Sequence, residues 1–327
     1  MGANHSISVS VVIPAYNAEQ TIEQAIESVL GQTSAADEII VVDDGSTDQT
    51  AAKVRSYEPR ITYIRQDNAG ANEARNTGIQ QAASGWIALL DADDRWLPNK
   101  LELQRQLLTR NPHLVWAYGN YRIIRTGKPD RLAHPSAQID RLLNKDGYFN
   151  NFLEAYANGI PVHTITMIIQ KKALLKAGLF LPGQIINHDP DVALRLAYQY
   201  SGVGYCPELL AEHHFGRPTG ITQQSKTLLD ERKTFINRHL VLSRKYHADP
   251  LFEACARRLI MKWISNCREE GYRNQGLELL QTFKSLLPER FAREMRLRLK
   301  WPWTERLFTM YHQSKRRLRS TPNEDTE

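Results

Sequence analysis

Only three cysteines occur in 327 residues, Cys206, Cys255 and Cys267, an odd number with no C-x-x-C pair. That argues against a disulfide scaffold or a cysteine zinc cluster and fits a reducing compartment. No window approaches the roughly 18 to 20 apolar residues of a membrane span. The opening stretch MGANHSISVSVVIP has no basic segment followed by a long apolar one. A secretory signal is therefore not expected, and the chain reads as cytoplasmic. Internal repeats and low-complexity tracts are also missing. Finally, PAYNAEQT, which follows the first apolar run, holds no glycine. That counts against the glycine-rich phosphate loop of a nucleotidyltransferase.

What is present is the composition of an ordinary globular protein, 42% hydrophobic and 24% charged. The length suits one large domain plus an appendage. The net charge of +6 is unevenly spread. Lys284 to Arg319 holds eleven Lys/Arg and three Asp/Glu, a balance of +8, so the remainder sums to −2.

The first hundred residues alternate. ISVSVVIP, EIIVVDD, ITYIRQ and WIALLD are short apolar runs of strand length, separated by helix-length segments such as AEQTIEQAIESVLGQ and GANEARNTGIQQAAS. Strands alternating with helices imply right-handed crossovers and an α/β, doubly wound, mostly parallel sheet. Ligands of such sheets bind at the carboxyl ends of the strands. Further on, HLVWAYGNYRII and HTITMIIQ read as strands and DVALRLAYQY as an amphipathic helix. GRPTG, at 216–220, is a turn-rich break, beyond which the chain reads as helical. We divide it into residues 1–220 and a helical region, 221–327, with a frayed end STPNEDTE.

Four polar motifs fall at the ends of expected strands. In VVIPAYNAEQT the strand ends at Ile13 and Pro14 fixes the turn. Tyr16 and Asn17 then sit before a helix whose free N–H groups favour anions. In IIVVDDGSTDQT, Ser46 to Asp48 suit a helix cap, but the paired Asp43 and Asp44 need another explanation. A carboxylate there can accept from a nucleotide's base or ribose. In DNAGANEARNTGI, Arg75 either forks onto a base or phosphate or is a solvated helix arginine. In WIALLDADDRW, Asp91, Asp93 and Asp94 crowd the mouth of a buried strand. One acid can cap the next helix, but three repel one another unless something positive sits among them. Mg²⁺ and Mn²⁺ take oxygen ligands, commonly one or two carboxylates plus substrate phosphates.

Taken together and in this order, these motifs resemble the family 2 glycosyltransferases of the GT-A fold, closely over about the first 110 residues and more loosely to about 215. The resemblance implies that Asp44 meets the nucleotide base and that Pro14 and Tyr16 lie along the nucleotide. It implies that Asp93 coordinates Mn²⁺ or Mg²⁺ on the diphosphate, with Asp91 nearby, toward the ribose or the metal. The family's acidic motif before a helix matches NHDPDVALRL, giving Asp189 as catalytic base, Asp191 as second acid and Arg195 as trailing arginine. His188 stands where glutamate is commonest. AEHHFGRPTGIT resembles the histidine-containing segment after the last strand, so His214 becomes a late metal ligand, with His213 equally placed. The Gln-x-x-Arg-Trp signature of processive synthases is missing, which favours single-sugar transfer.

The resemblance implies inverting transfer from a nucleotide-diphosphate sugar (UDP- or dTDP-linked) to a glycan or lipid-linked saccharide. A nucleotidyltransferase and a silent nucleotide-sugar-binding module stay open as alternatives. In the basic tail, Trp301, Trp303, Phe308 and Tyr311 interleave with Arg and Lys. This suits either an anionic membrane surface met through residues 284–319, at the inner face of the cytoplasmic membrane, or a subdomain packing its tryptophans inward. Nothing else in the chain suggests a nucleic-acid partner.

Overall fold

The computed structural model describes residues 7–134, 136–215 and 228–301. GRPTG, the aromatics Trp303, Phe308 and Tyr311, and the terminal STPNEDTE lie outside them. Strands β1 (Val9–Ala15), β2 (Glu38–Asp43), β3 (Thr62–Arg65) and β4 (Trp86–Leu89) are parallel neighbours in the order β3-β2-β1-β4. Helices α1 (Ile22–Leu30), α2 (Thr50–Arg55) and α3 (Ala71–Gln81) are the crossovers between them. Every residue of β1 is buried, as a strand covered on both faces requires. Helix α1 buries Ile22, Ala25, Ile26 and Val29, the spacing of one helical face.

Strand β1 runs two residues past the expected end at Ile13, because Pro14 is tolerated in it. Val12 accepts from Leu90 N–H on the β4 side, where pairing then stops, while Ala15 accepts from Asp44 N–H on the β2 side. Pro14 points its donor-less nitrogen toward the side that β4 has already left.

Downstream come β5 (Arg95–Trp96), α4 (Lys100–Arg110), β6 (Trp116–Arg125), β7 (Arg131–Leu132), α5 (Ser136–Leu142), β8 (Tyr148–Phe149) and α6 (Phe152–Ala157). They are followed by β9 (Ile168–Gln170), α7 (Lys171–Lys176), α8 (His188–Ala197) and β10 (Val203–Phe215). The sheet continues β4-β9-β6-β10-β5. Strand β9 is antiparallel to both β4 and β6, so β6 and its parallel neighbour β10 run the same way as β1 to β4. The sheet is therefore mixed but mostly parallel, and its carboxyl ends share one edge. HTITMIIQ is only half strand: Thr164–Thr166 forms a 3-10 turn before β9. The histidines expected after the last strand lie inside β10.

The chain forms two compact units, one running to Phe252 and the other from Glu253. Helix α9 (Leu229–Lys245) belongs to the first, where it buries Phe235, Ile236 and His239. Helix α10 (Asp249–Glu269) begins there and leads into the second unit. That unit is completed by α11 (Arg273–Thr282) and α12 (Glu289–Lys300), with Leu279, Leu280, Met295 and Leu299 buried.

Candidate functional site

The positive group among the acids is Arg75. Its Nη2 lies 2.6 Å from Asp91 Oδ1, its side chain is 4% exposed, and Nη1 donates to Asn72 Oδ1. It is therefore a buried structural cation and not a solvated helix arginine. Burial alone would raise the Asp91 carboxyl. The Arg75 charge, helped by His163, reverses this and holds it at about 2.

Asp94 is fully buried and answers to a different cation. Both its oxygens face His213 Nδ1, at 3.0 and 3.2 Å, and Oδ1 accepts the His214 backbone N–H at 2.8 Å. Burial by itself would lower the His213 imidazole; the bond to Asp94, with the charges of Asp94, Asp91 and Asp93, raises it instead. The His163 ring centroid is 4.5 Å from that of His213. Asp94, His163 and His213 each turn a ligand atom inward, all within 4.8 Å of one another. By donor chemistry, two imidazoles and one carboxylate fit a divalent metal ion. Asp93 is half-buried beside this group. His214 holds its ring Nδ1 4.0 Å from Asp94 Oδ1.

Asp189 reaches the same place from another direction. Asn187, in left-handed conformation at φ 60°, turns the chain into α8, and Asp189 falls in the first helical turn. Its Oδ1 accepts the Thr164 N–H at 3.2 Å and lies 3.4 Å from His188 Nε2. Thr164 follows His163, so the Asp189 carboxylate flanks the Asp94–His163–His213 group. Tyr121, on β6, packs its ring against His163, and burial together with the Asp189 charge raises its hydroxyl. Burial lowers the His188 imidazole, against the pull of Asp189. Thr164 Oγ1 and Asn187 Nδ2 are buried with no hydrogen-bond partner among the described residues.

Asp191 is not at the site. It is fully buried and accepts from Arg195 Nε at 2.8 Å, Arg238 Nη1 at 2.9 Å and His239 Nε2 at 3.1 Å. Arg195 in turn donates to the carbonyls of Ala177 and Leu179. This network fastens α8 to α9 and to the loop before α8.

The remaining motif residues form the rim. Tyr16 is 53% exposed at the end of β1. Asn17 braces two loops, donating its N–H to Ser46 Oγ at 2.9 Å and accepting the Thr47 N–H at 2.8 Å. Asp44 is buried and accepts from Gln66, Ala69 and Gly70 at 2.7–2.9 Å, tying the end of β2 to the loop after β3. Gly45, at φ 79°, makes the turn; a Cβ there would stand 2.9 Å from Asn68 N. Asn76 pairs through both side-chain atoms with the Phe180 backbone, and Asn72 donates to Leu181 and Gln184 carbonyls. Helix α3 thus holds the loop that leads to Asp189.

His163, Asp94's pairing with His213, Tyr121 and the Arg238–His239 pair were not foreseen from the sequence. Asp94 was visible only as a third acid, and a lone histidine before an apolar run carries no spacing signal.

Residues 10–176 match the model of Glycosyl transferase family 2. Over 118 residues the chain is 46% identical to the Escherichia coli UDP-Glc:alpha-D-GlcNAc-diphosphoundecaprenol beta-1,3-glucosyltransferase WfgD, covering 36% of this chain and 46% of that one. Over 209 residues it is 31% identical to the uncharacterized glycosyltransferase RP339 of Rickettsia prowazekii, 63% of each chain. The chain thus spans less than two thirds of the length of either relative. In fold it is similar to Staphylococcus aureus TarS 1-349 in complex with UDP-GlcNAc, with a TM-score of 0.67 at 16% identity over 89% of both chains. The family match takes in the strand-end motifs from β1 to the Asp91–Asp94 cluster and runs on beyond β9. The chain belongs to glycosyl transferase family 2.

Proposed function

We propose that this protein transfers a single sugar, with inversion, from a nucleoside-diphosphate sugar to a hydroxyl of a glycan or lipid-linked saccharide. The observation that carries this reading is the meeting of Asp189 with the Asp91–Asp94 acids at one edge of the sheet. Asp189 takes the proton of the acceptor hydroxyl as its oxygen forms a bond to the anomeric carbon. The bond from that carbon to the diphosphate oxygen breaks, and the nucleoside diphosphate leaves with the electron pair. The buried partnerless Thr164 Oγ1 and Asn187 Nδ2 beside Asp189 are ready to meet sugar hydroxyls.

On the donor side, Asp44, Pro14, Tyr16 and Asn17 face the nucleotide, and Arg75 orients Asp91 toward the ribose or the metal. Asp93, with Asp91 and His214, holds Mn²⁺ or Mg²⁺, which when bound offsets the charge of the diphosphate. A UDP- or dTDP-sugar is the donor class; a relative named for UDP-glucose and a similar fold solved with UDP-GlcNAc support UDP. The lipid-linked acceptor follows that relative's name as well.

A cytoplasmic protein meeting the inner membrane face through residues 284–319 completes the reading. In α12, Arg290, Arg293, Arg296 and Lys300 lie on one exposed stripe with Leu297, and exposed Trp301 follows the helix. Lys284, Arg293 and Arg296 also line a cleft of about 860 Å³. A basic stripe edged by Leu and Trp suits an anionic interface. No described helix is long and apolar enough to cross a membrane.

The test is Asp189→Asn. Transfer should fall by roughly 10²–10⁴-fold, while calorimetric UDP binding stays near normal. Normal turnover by this variant would remove Asp189 from the mechanism.

A further inference from the structure

We propose that Asp94, His163 and His213 form a preorganised seat for a nitrogen-accepting divalent ion, Mn²⁺ in preference to Mg²⁺, filled before any nucleotide sugar binds. This deepens the proposed reaction by naming the side chains that hold the ion, and it rests on that reading only for what the ion does afterwards.

Donor type comes first. Mg²⁺ demands oxygen ligands and keeps its waters, whereas imidazole suits later first-row ions and is accepted by Mn²⁺. Two imidazoles converge here with one carboxylate.

Distance comes second. Two ligands adjacent on an octahedral ion with bonds of ~2.1 Å lie ~3 Å apart. Asp94 Oδ2 and His213 Nδ1 are 3.0 Å apart, and all three ligand atoms fall within 4.8 Å. The His214 N–H fixes Asp94 Oδ1, leaving Oδ2 toward the imidazoles. A ligating carboxylate held this way by an outer hydrogen bond is the usual arrangement at metal sites.

Rigidity comes third. The three ligands come from distant parts of the chain, yet none depends on a nucleotide for its place. Arg95 pairs with Glu212 and Trp96 with Ala211 across β5 and β10, which sets Asp94 against His213. The Trp96 indole N–H donates to the Ile165 carbonyl at 2.8 Å, which sets the same segment against the turn after His163. With the ion so placed, Asp93 and the diphosphate oxygens of a donor complete its shell.

The experiment uses the full chain, stripped with EDTA and titrated with Mn²⁺ alone. Continuous-wave EPR reads the free ion, and pulsed EPR reads coupling to ¹⁴N. The expected result is one bound Mn²⁺ with imidazole nitrogen coupling, retained against about a hundredfold excess of Mg²⁺. His163→Gln and His213→Ala should each weaken binding at least tenfold or so and diminish the nitrogen signal, with unchanged thermal unfolding. Asp93→Asn should keep both the ion and the coupling. Bound Mn²⁺ without nitrogen coupling in the unaltered protein, binding that appears only with UDP, or loss on Asp93→Asn alone would each overturn the proposal. None of these outcomes depends on sugar transfer, so the seat and the reaction can fail separately.

Discussion

Replacing Asp191 by asparagine removes one negative charge from a pocket that holds Arg195, Arg238 and His239. Burial alone would raise this carboxyl, but the His239 hydrogen bond and the Arg195 charge bring it from 3.8 to about 2. That displacement corresponds to roughly 2–3 kcal/mol of stability at neutral pH. Removing one partner of a buried ion pair typically costs about 3–5 kcal/mol, because the other charge is stranded. The lower figure is the better guide for asparagine, which keeps the shape and some of the hydrogen bonds. For a unit of this size it lowers the unfolding midpoint by about 5–10 °C.

The sign with pH is fixed by the direction of the shift. A carboxyl lowered in the folded state contributes fully above 3.8, and the contribution is lost as pH falls toward 2. The deficit of Asp191→Asn should therefore be full at pH 7 and shrink below pH 4. Calorimetry of the full chain at pH 7 and pH 3.5, following the transition of the first unit, measures both. A midpoint within about 1 °C of the unaltered protein at pH 7 would show that the Asp191 network does not fasten α8. An undiminished deficit at pH 3.5 would mean that its contribution is not ionic.

Lys100 is wholly buried, bonded to Gln104 and lying 3.9 Å from the centre of the Trp96 ring, and burial brings its amine down to about 7. Between pH 7 and the usual lysine range the unfolded chain binds a proton that the folded chain does not, so stability rises with pH there. Lys100→Met should flatten that slope in urea titrations and be the more stable protein at pH 7; an unchanged slope would refute the assignment. At Gly78, a Cβ would stand 2.4 Å from Val12 Cγ1, so Gly78→Ala should push α3 off β1 and cost about 1–3 kcal/mol. UDP affinity, measured by calorimetry, should fall with it, because α3 carries Arg75. Deleting residues 284–327 should abolish sedimentation with anionic vesicles, and unchanged sedimentation would dismiss the basic stripe as a membrane contact.

The alternation of fully apolar runs with amphipathic segments was enough to predict β1 to β4 and their crossovers. A strand buried on both faces and a helix buried on one leave different periodicities in a single sequence. The motifs were legible for a related reason: each lies within a few residues of the strand end that positions it. Asp43, Asp44, Asp91, Asp93 and Asp94 could all be placed at the carboxyl edge from local spacing alone. Their division of labour could not. Whether Arg75 faced solvent or Asp91 depended on how α3 packs, and α3 packs through Gly78 against a strand more than sixty residues away in sequence. Likewise Pro14 reads as a strand end, and stays in the strand only because β4 stops short beside it.

The sequence by itself determined the family, the parallel half of the sheet and the edge where the chemistry gathers, because these follow from periodicity and short-range spacing. Only the tertiary structure decided which groups pair there: Arg75 with Asp91, Asp94 with His213 and His163, Asp191 with His239. Such pairs join residues 16 to 119 positions apart. The free energy that selects them is the cost of burying an unpaired charge, which exists only once the surrounding elements have closed over it.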